Sequence, residues 1–422
     1  MPANDLLPGA FAARLLTGKA RFFSLPGARA GYRAGPLGQC CGRGAIKVFQ
    51  CGHGGLDRRI TTVENVIPAM HIPDGYLSPS TCATMYAGAA PFWYVALRRL
   101  RRAFHARTIP LLSLISAFCF VIMMFNLPLP GGTTGHAVGM GIASILLGPW
   151  AAIVAISIAL LVQAVFFGDG GITCYGANCF NMAIVGSLVA YGVYRAISGR
   201  TPVTSPRRIV AAAAAGYIGI NAAALCAAIE FGLQPMLFHD ASGAPLYAPY
   251  PLSIAIPAML AGHLTFAGIA ELVISGGLVA YLQRADPAML RRTAPGAGEV
   301  GEESLRWLWI GLTTLMLATP LGLLAGGSAW GEWSSQDFQN PQTRQEIAIA
   351  SRHIAPPANA PAGFARLSTI WTAPMPDYAP RFFKSQPAGY ICSAMFGSGL
   401  VMLAGTLLGW GARKRPVAAR PQ

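Results

Sequence analysis

Two histidines carry the first chemical suggestion. His71 stands in the run Met70-His71-Ile72-Pro73-Asp74-Gly75, just ahead of a long apolar stretch, and His136 stands in PGGTTGHAVG at the start of a later one. A histidine in a polar loop is ordinarily only solvated, but two imidazoles on one aqueous face can share a divalent cation. A start at Met70 sharpens this. The Met70 amine, the His71 amide nitrogen and the His71 imidazole would then close fused chelate rings on one ion, with His136 completing four nitrogens. A planar or tetragonal nitrogen set suits Ni(II), Cu(II) or, less strongly, Co(II), whereas Mg or Ca calls for oxygen ligands. A peptide bond ahead of Met70 would turn that amine into an amide without a basic lone pair. The set therefore requires translation to begin at Met70 or cleavage before it, and the former is favoured because residues 1–69 have no signal-peptide core.

The remaining polar residues read more plainly. Asp169 lies in GDGG at 168–171, a tight turn rather than a ligand site. Asn178 and Asn181 suit caps or interhelical hydrogen bonds. His263 and Glu271 lie eight apart inside an apolar run, where an ionisable group is costly unless paired. They are expected to share a helix face in a structural polar contact, with a role in an ion pathway as the alternative, and Glu230 sits near the end of another run. His239 and Asp240 read as solvated. Cys174 and Cys179 fit a small-residue role better than a disulfide or a metal site, and no CxxC pair is present. No GxxxxGK[ST] loop occurs, so ATP hydrolysis would have to come from another polypeptide. No cluster of acid, base and nucleophile points to an enzyme.

These residues need a scaffold, and composition indicates its solvent. Of 422 residues 54% are hydrophobic and 11% charged, which makes a lipid bilayer the expected surroundings. The net charge of +15 sits in short basic clusters between apolar runs, a pattern of membrane loops and not of nucleic-acid binding. Residues 1–69 hold no apolar stretch near the roughly 18 residues of a membrane span and are expected to be disordered or misannotated. From Met70 onward apolar segments recur at 79–98, 109–127, 136–148, 149–167, 179–197, 208–232, 252–282, 306–326 and 390–411. The expectation is an all-α, polytopic transmembrane helix bundle with about nine segments, of which 136–148 is short and tilted, broken or re-entrant.

Basic clusters at 98–102, 195–208, 284–292 and 413–415 follow alternate segments and are expected in the cytoplasm. That threading puts residue 70 outside, together with 128–136, 168–178, 233–251 and 327–389, and the C-terminus inside. The stretch 327–389 reads as an irregular external loop with Trp330 and Trp333 as interfacial aromatics. The expected division is an extension 1–69, a metal-binding membrane domain 70–292, a linker 293–304, a two-span domain 305–415 with its external loop, and a tail 416–422.

Three blocks carry a family resemblance: MHIPDGYLSP, the long block GGTTGHAVGMGIASILLGPWAAIVAISIALLVQAVFFGDGGITCYGANCFNMAIVG, and PLSIAIPAMLAGH. Over roughly 70–285 the chain resembles the CbiM/NikM substrate-specific subunits of energy-coupling factor importers. The resemblance implies that Met70, His71 and His136 bind the metal, with Asp74 and Gly131 to Gly135 shaping the site. The end of the chain, from ATPLGLLAGGSAWGEW at Ala318 onward, is similar to the two-span NikN/CbiN component, whose family role is to assist loading or transport. It further implies two ATPase subunits and a coupling membrane subunit as partners. On this reading the chain is a transporter subunit of the bacterial inner membrane, not an enzyme and without a prosthetic group, that takes Ni(II) or Co(II) as its cargo. A stand-alone divalent-metal channel or secondary carrier is the alternative.

Overall fold

In hydrocarbon every backbone N–H and C=O must be satisfied within the protein, and apolar runs accordingly fold as helices. The computed structural model describes residues 71–103, 108–129, 133–291, 304–380 and 382–412. The extension 1–69, Met70, Gly131, Gly132, the linker except its last residue, the basic cluster 413–415 and the tail lie outside the described residues. The order is α1 (Pro79–Ala103), α2 (Thr108–Ile122), a hairpin of β1 (Leu127–Leu129) and β2 (Thr133–Gly135), α3 (Met140–Leu147) and α4 (Pro149–Val162). Then follow α5 (Tyr175–Asn178), α6 (Ser187–Ser198), α7 (Pro206–Leu237), α8 (Leu252–Gly262), α9 (Gly268–Ala285) and α10 (Pro287–Arg291). The last part holds α11 (Ser304–Ala318), α12 (Pro341–Ala350), α13 (Ala362–Leu367) and α14 (Gln386–Ala412).

Six described helices are long and apolar enough to cross a membrane: Pro149–Phe167, Tyr175–Ser198, Pro206–Leu237, Leu252–Ala285, Arg306–Leu324 and Gln386–Trp410. The other three of the nine expected segments are helical but fall short for physical reasons. α1 has the length, yet it mixes Pro, Ser, Thr and Tyr with its apolar residues before ending in Arg98, Arg99, Arg101 and Arg102. The apolar helix Ile109–Ile122 is short, and α3 has only eight residues.

α4 forms the centre, with α2, α1 and the 175–198 helix against it, while α7 packs on α6, α8 and α9. The C-terminal pair joins through α2: the Tyr390 hydroxyl donates to the Met124 carbonyl at 3.0 Å and Ser113 donates to the Met402 carbonyl at 3.4 Å. The described loops assigned to one face meet at one end of the bundle. Thr134 N–H donates to Ser328 O (3.2 Å), Ala248 N–H to Tyr76 O (3.0 Å), Phe364 N–H to Leu246 O (3.0 Å) and Met375 N–H to Phe166 O (3.0 Å). Basic loops meet elsewhere, where the Gln283 amide donates to the carbonyls of Val203 (2.7 Å) and Ser205 (2.9 Å).

The stretch 327–389 differs from the expected irregular loop. It folds with α12 and α13, and Trp330 and Trp333 are buried at 6% and 4% exposure instead of lying at an interface. The cause is a partner distant in sequence. The Tyr76 hydroxyl donates to Trp333 O and accepts from Trp333 N–H, both at 3.1 Å, and Phe231, Tyr250, Phe338 and Phe364 complete an aromatic cluster around them. Aromatic edges and faces in such contacts gain beyond their buried area.

Candidate metal site

The segment carrying His71 is clamped before its imidazole is considered. The Asn178 side chain accepts from Ile72 N–H and donates to Ile72 O, both at 3.1 Å. Asp74 accepts from the N–H groups of Thr173 (2.7 Å) and Ile172 (3.2 Å) and from the Thr173 hydroxyl. Gly171 N–H donates to Ile72 O at 2.9 Å, and a Cβ on Gly171 would stand 2.3 Å from Asp74 N, so only glycine permits this approach. The motif's Asp74 thus fixes the loop after α4 to the chain beside His71.

That loop turns Asp169 onto the imidazole. His71 Nδ1 donates to Asp169 Oδ1 at 2.8 Å, with both side chains buried. Tyr378, from the stretch between α13 and α14, donates to Asp169 Oδ2 at 2.6 Å, and the Gln163 amide donates to the Tyr378 oxygen at 2.9 Å. A carboxylate holding one nitrogen of a histidine fixes its tautomer and puts the lone pair on the other. The His71 Nε2 is buried and has no hydrogen-bond partner among the described residues. His136, directly after β2, donates from Nδ1 to the Ala137 carbonyl at 3.0 Å, which likewise assigns its lone pair to Nε2.

The two rings stand edge to face with centroids 5.0 Å apart. An ion ~2 Å from a ligand nitrogen lies about 3 Å from that ring's centre, so one ion reaches both rings if they are within roughly 6 Å. Both line a cavity of about 90 Å³ together with Asn181, His263, Trp330 and Glu332. Among the described residues no three His, Cys, Asp or Glu side chains gather as a metal-binding group. The donor geometry visible here is the imidazole pair, and Met70 lies outside the described residues.

Three π-helical turns surround this end: Gln163–Phe167, Cys179–Gly186 and His263–Ala267. Each inserts one residue into a helical turn and re-aims a side chain, a device frequent at functional sites. Gln163 is thereby aimed at Asp169 and Tyr378, while Asn181 and His263 line the cavity. The π-turn also separates the roles of the residues expected to share one helix face. His263 lines the cavity with Nδ1 bonded to the Met259 carbonyl at 2.9 Å. Glu271 instead caps α3, accepting from the N–H groups of Val138 (2.9 Å), Gly139 (2.9 Å) and Gly141 (3.1 Å). A carboxylate suits the donor-rich start of a helix, and here it fixes the chain just after His136. Glu271→Gln removes the charge and turns an amide NH2 toward those donors. Leaving buried donors unmet costs about 1–3 kcal/mol, so the variant should melt at lower temperature in detergent and bind nickel more weakly. An unchanged melting midpoint would contradict this role.

Glu230 accepts from Asn181 at 3.0 Å, the interhelical contact expected of that asparagine. Cys174 and Cys179 are free and buried, and the sulfur near Cys174 is that of Cys82, 3.8 Å away. Outside the membrane helices, burial and the nearby Asp169 charge push the Glu332 carboxyl well above the usual carboxylate range and raise Asp377 to about 7. Sequence reading missed Asp169 as the partner of His71, and Tyr378, Gln163 and Glu332 altogether. Only the aspartate had a local signal, since three glycines around it allow a sharp approach to another chain segment.

Residues 71–289 match the family model described as the cobalt uptake substrate-specific transmembrane region, CbiM, and residues 304–414 match the PDGLE domain. The fused nickel transport protein NikMN of Rhodobacter capsulatus is 57% identical over 334 residues, covering 79% of this chain and 95% of that protein. The probable fused nickel transport protein LarMN of Lactiplantibacillus plantarum is 45% identical, over 66% of this chain and 82% of its own length. A solved transition metal transporter is 52% identical over 51% of this chain and 94% of that one, with a TM-score of 0.48.

Proposed function

This chain belongs to the CbiM/NikM family of metal-uptake membrane components, with a NikN/CbiN-like domain fused at its end, and from that premise we propose that it is the substrate-specific component of an energy-coupling factor ABC importer for nickel or cobalt. It is a multi-pass membrane protein of nickel and cobalt transport. The finer reading is that Met70, His71 and His136 capture the ion on the outer face, that the chain crosses a bacterial inner membrane about nine times, and that its C-terminus lies in the cytoplasm. On this reading residues 70–292 form the binding domain, 293–304 a linker and 305–415 the fused two-span domain, while separate ATPase subunits and a coupling membrane subunit supply the drive. The observation that carries the proposal is the pair of buried imidazoles 5.0 Å apart, one of them with an unpartnered nitrogen beside a small cavity. Uptake of radioactive nickel into cells should require both this chain and the ATPase subunits. Nickel flux through vesicles holding this chain alone would favour a channel or secondary carrier instead.

Two donor geometries remain for the same residues. Fused rings through the Met70 amine and the His71 amide use His71 Nδ1, the nitrogen that Asp169 holds at 2.8 Å, so loading by that route turns the ring away from Asp169. The ring as it stands presents Nε2, and this orientation favours binding through Nε2 with Asp169 as its support. Losing such a support typically costs 10–100-fold in metal affinity, so Asp169→Asn should weaken nickel binding by about that factor if Nε2 binds. Equal or tighter binding by Asp169→Asn, measured by equilibrium titration against a competing chelator, would select the fused-ring geometry.

A further inference from the structure

Beyond the imidazole cavity, toward the fused domain, lies a larger vestibule of about 760 Å³. Its wall includes Asp74, Glu332, Asp337, Glu346 and Asp377, and no Lys, Arg or His among the described residues. Five of the chain's sixteen acidic residues thus border one space in a protein whose net charge is +15. Carboxyl groups gathered in a recess with low-dielectric walls draw in cations, and the two whose pKa burial raises, Glu332 and Asp377, release their protons as they bind the ion. Three of the five already accept hydrogen bonds: Asp74 from the backbone at Ile172 and Thr173, Asp337 from Ser334, and Glu346 from the Gln342 amide at 3.4 Å.

Glu332 is set apart because it lines both the vestibule and the imidazole cavity. The chain puts it there by two devices. The strand of His136 is paired with the segment ahead of Glu332, through a bridge between Thr134 and Ala329 and the Thr134 hydroxyl donating to Gly327 O at 3.2 Å. Gly331 then turns with φ +87°, where a Cβ would stand 2.5 Å from a Phe231 ring carbon. Only glycine fits both the dihedral and the contact. The Glu332 Oε2 emerges buried and without a hydrogen-bond partner among the described residues. On the same cavity His71, 2% exposed, presents its unpartnered Nε2. A buried polar atom without a protein partner in a native fold calls for an ion, a water or a ligand.

We propose that the vestibule is a second cation site, and that Glu332 in the wall it shares with the imidazole cavity receives a divalent transition-metal ion and passes it to His71 and His136. The fused domain then supplies a ligand to the transport path as well as a cover over it. The proposal rests on the reading of the two histidines as the terminal site. A carboxylate binds such an ion less tightly than a set of nitrogens, as a relay requires, since affinity must rise along the path for the ion to move inward.

The test mixes Ni2+ rapidly with the full chain purified in detergent and follows capture against a chromophoric chelator, with bound nickel per chain measured separately. Glu332→Gln, which takes away the receiving carboxylate, should slow association at least about 10-fold. Glu332→Asp should recover part of the rate. Should Glu332→Gln fail to fold, the double variant Glu346→Gln with Asp377→Asn carries the test at about pH 8, above the value of about 7 to which Asp377 is raised, and its association should lose part of its dependence on ionic strength. Unaltered association in Glu332→Gln, or unaltered salt dependence in the double variant, overturns the relay. His136→Ala keeps the two failures distinct. If it abolishes binding while the Glu332 variants load normally, only the relay falls; if it binds nickel normally, the terminal site falls first.

Discussion

Replacing His136 with alanine is expected to lower nickel affinity by at least about 100-fold, because even residues that merely support a ligand typically cost 10–100-fold when lost. The substitution should leave insertion and folding nearly intact. The His136 Nδ1 bonds the carbonyl of its own neighbour Ala137, and the loop after it is held separately by Glu271. Equilibrium dialysis of the purified variant measures the affinity, and elution as a single monodisperse peak checks the fold. His71→Ala should behave alike in affinity but also take away the buried donor to Asp169 Oδ1, so a drop in melting temperature is expected only there. Nickel bound at unaltered affinity by His136→Ala would remove that residue from the ligand set.

The second large effect concerns Met70. If its amine is a ligand, protein beginning at Met70 should bind nickel at least about 100-fold more tightly than protein with one alanine added before it, since the added peptide bond deletes a direct ligand. Binding must also release protons, because amine and amide nitrogens coordinate only when deprotonated, so affinity should fall as pH is lowered. Amino-terminal sequencing of active protein from its native membrane gives the complementary result. An intact 1–69 segment on protein that transports nickel would end the amine's role, and the imidazole pair with Asp169 would remain as the site to be explained.

The helices were legible because hydrocarbon forces any long apolar run to satisfy its own backbone, and the runs from 149 to 410 show that pattern without help from neighbours. The count was less legible. α1 mixes small polar residues with a basic end, and α3 and α2 are short, so hydropathy marks helices there without marking crossings. The stretch 327–389 was misread because its tryptophans look interfacial by composition, whereas Tyr76, 257 positions from Trp333, draws them inward.

By itself the sequence determined the solvent, the helical class, the family and the two imidazoles, since each is written in composition or in a contiguous motif such as MHIPDG or GGTTGH. Only the tertiary structure decided which groups serve them. Asp169 meets His71 across 98 positions, Tyr378 meets Asp169 across 209, and Glu271 meets Val138 across 133. No periodicity announces such pairs. They arise because a buried charge or donor far from water must find a partner wherever the packed helices bring one, and that choice is made by the fold as a whole.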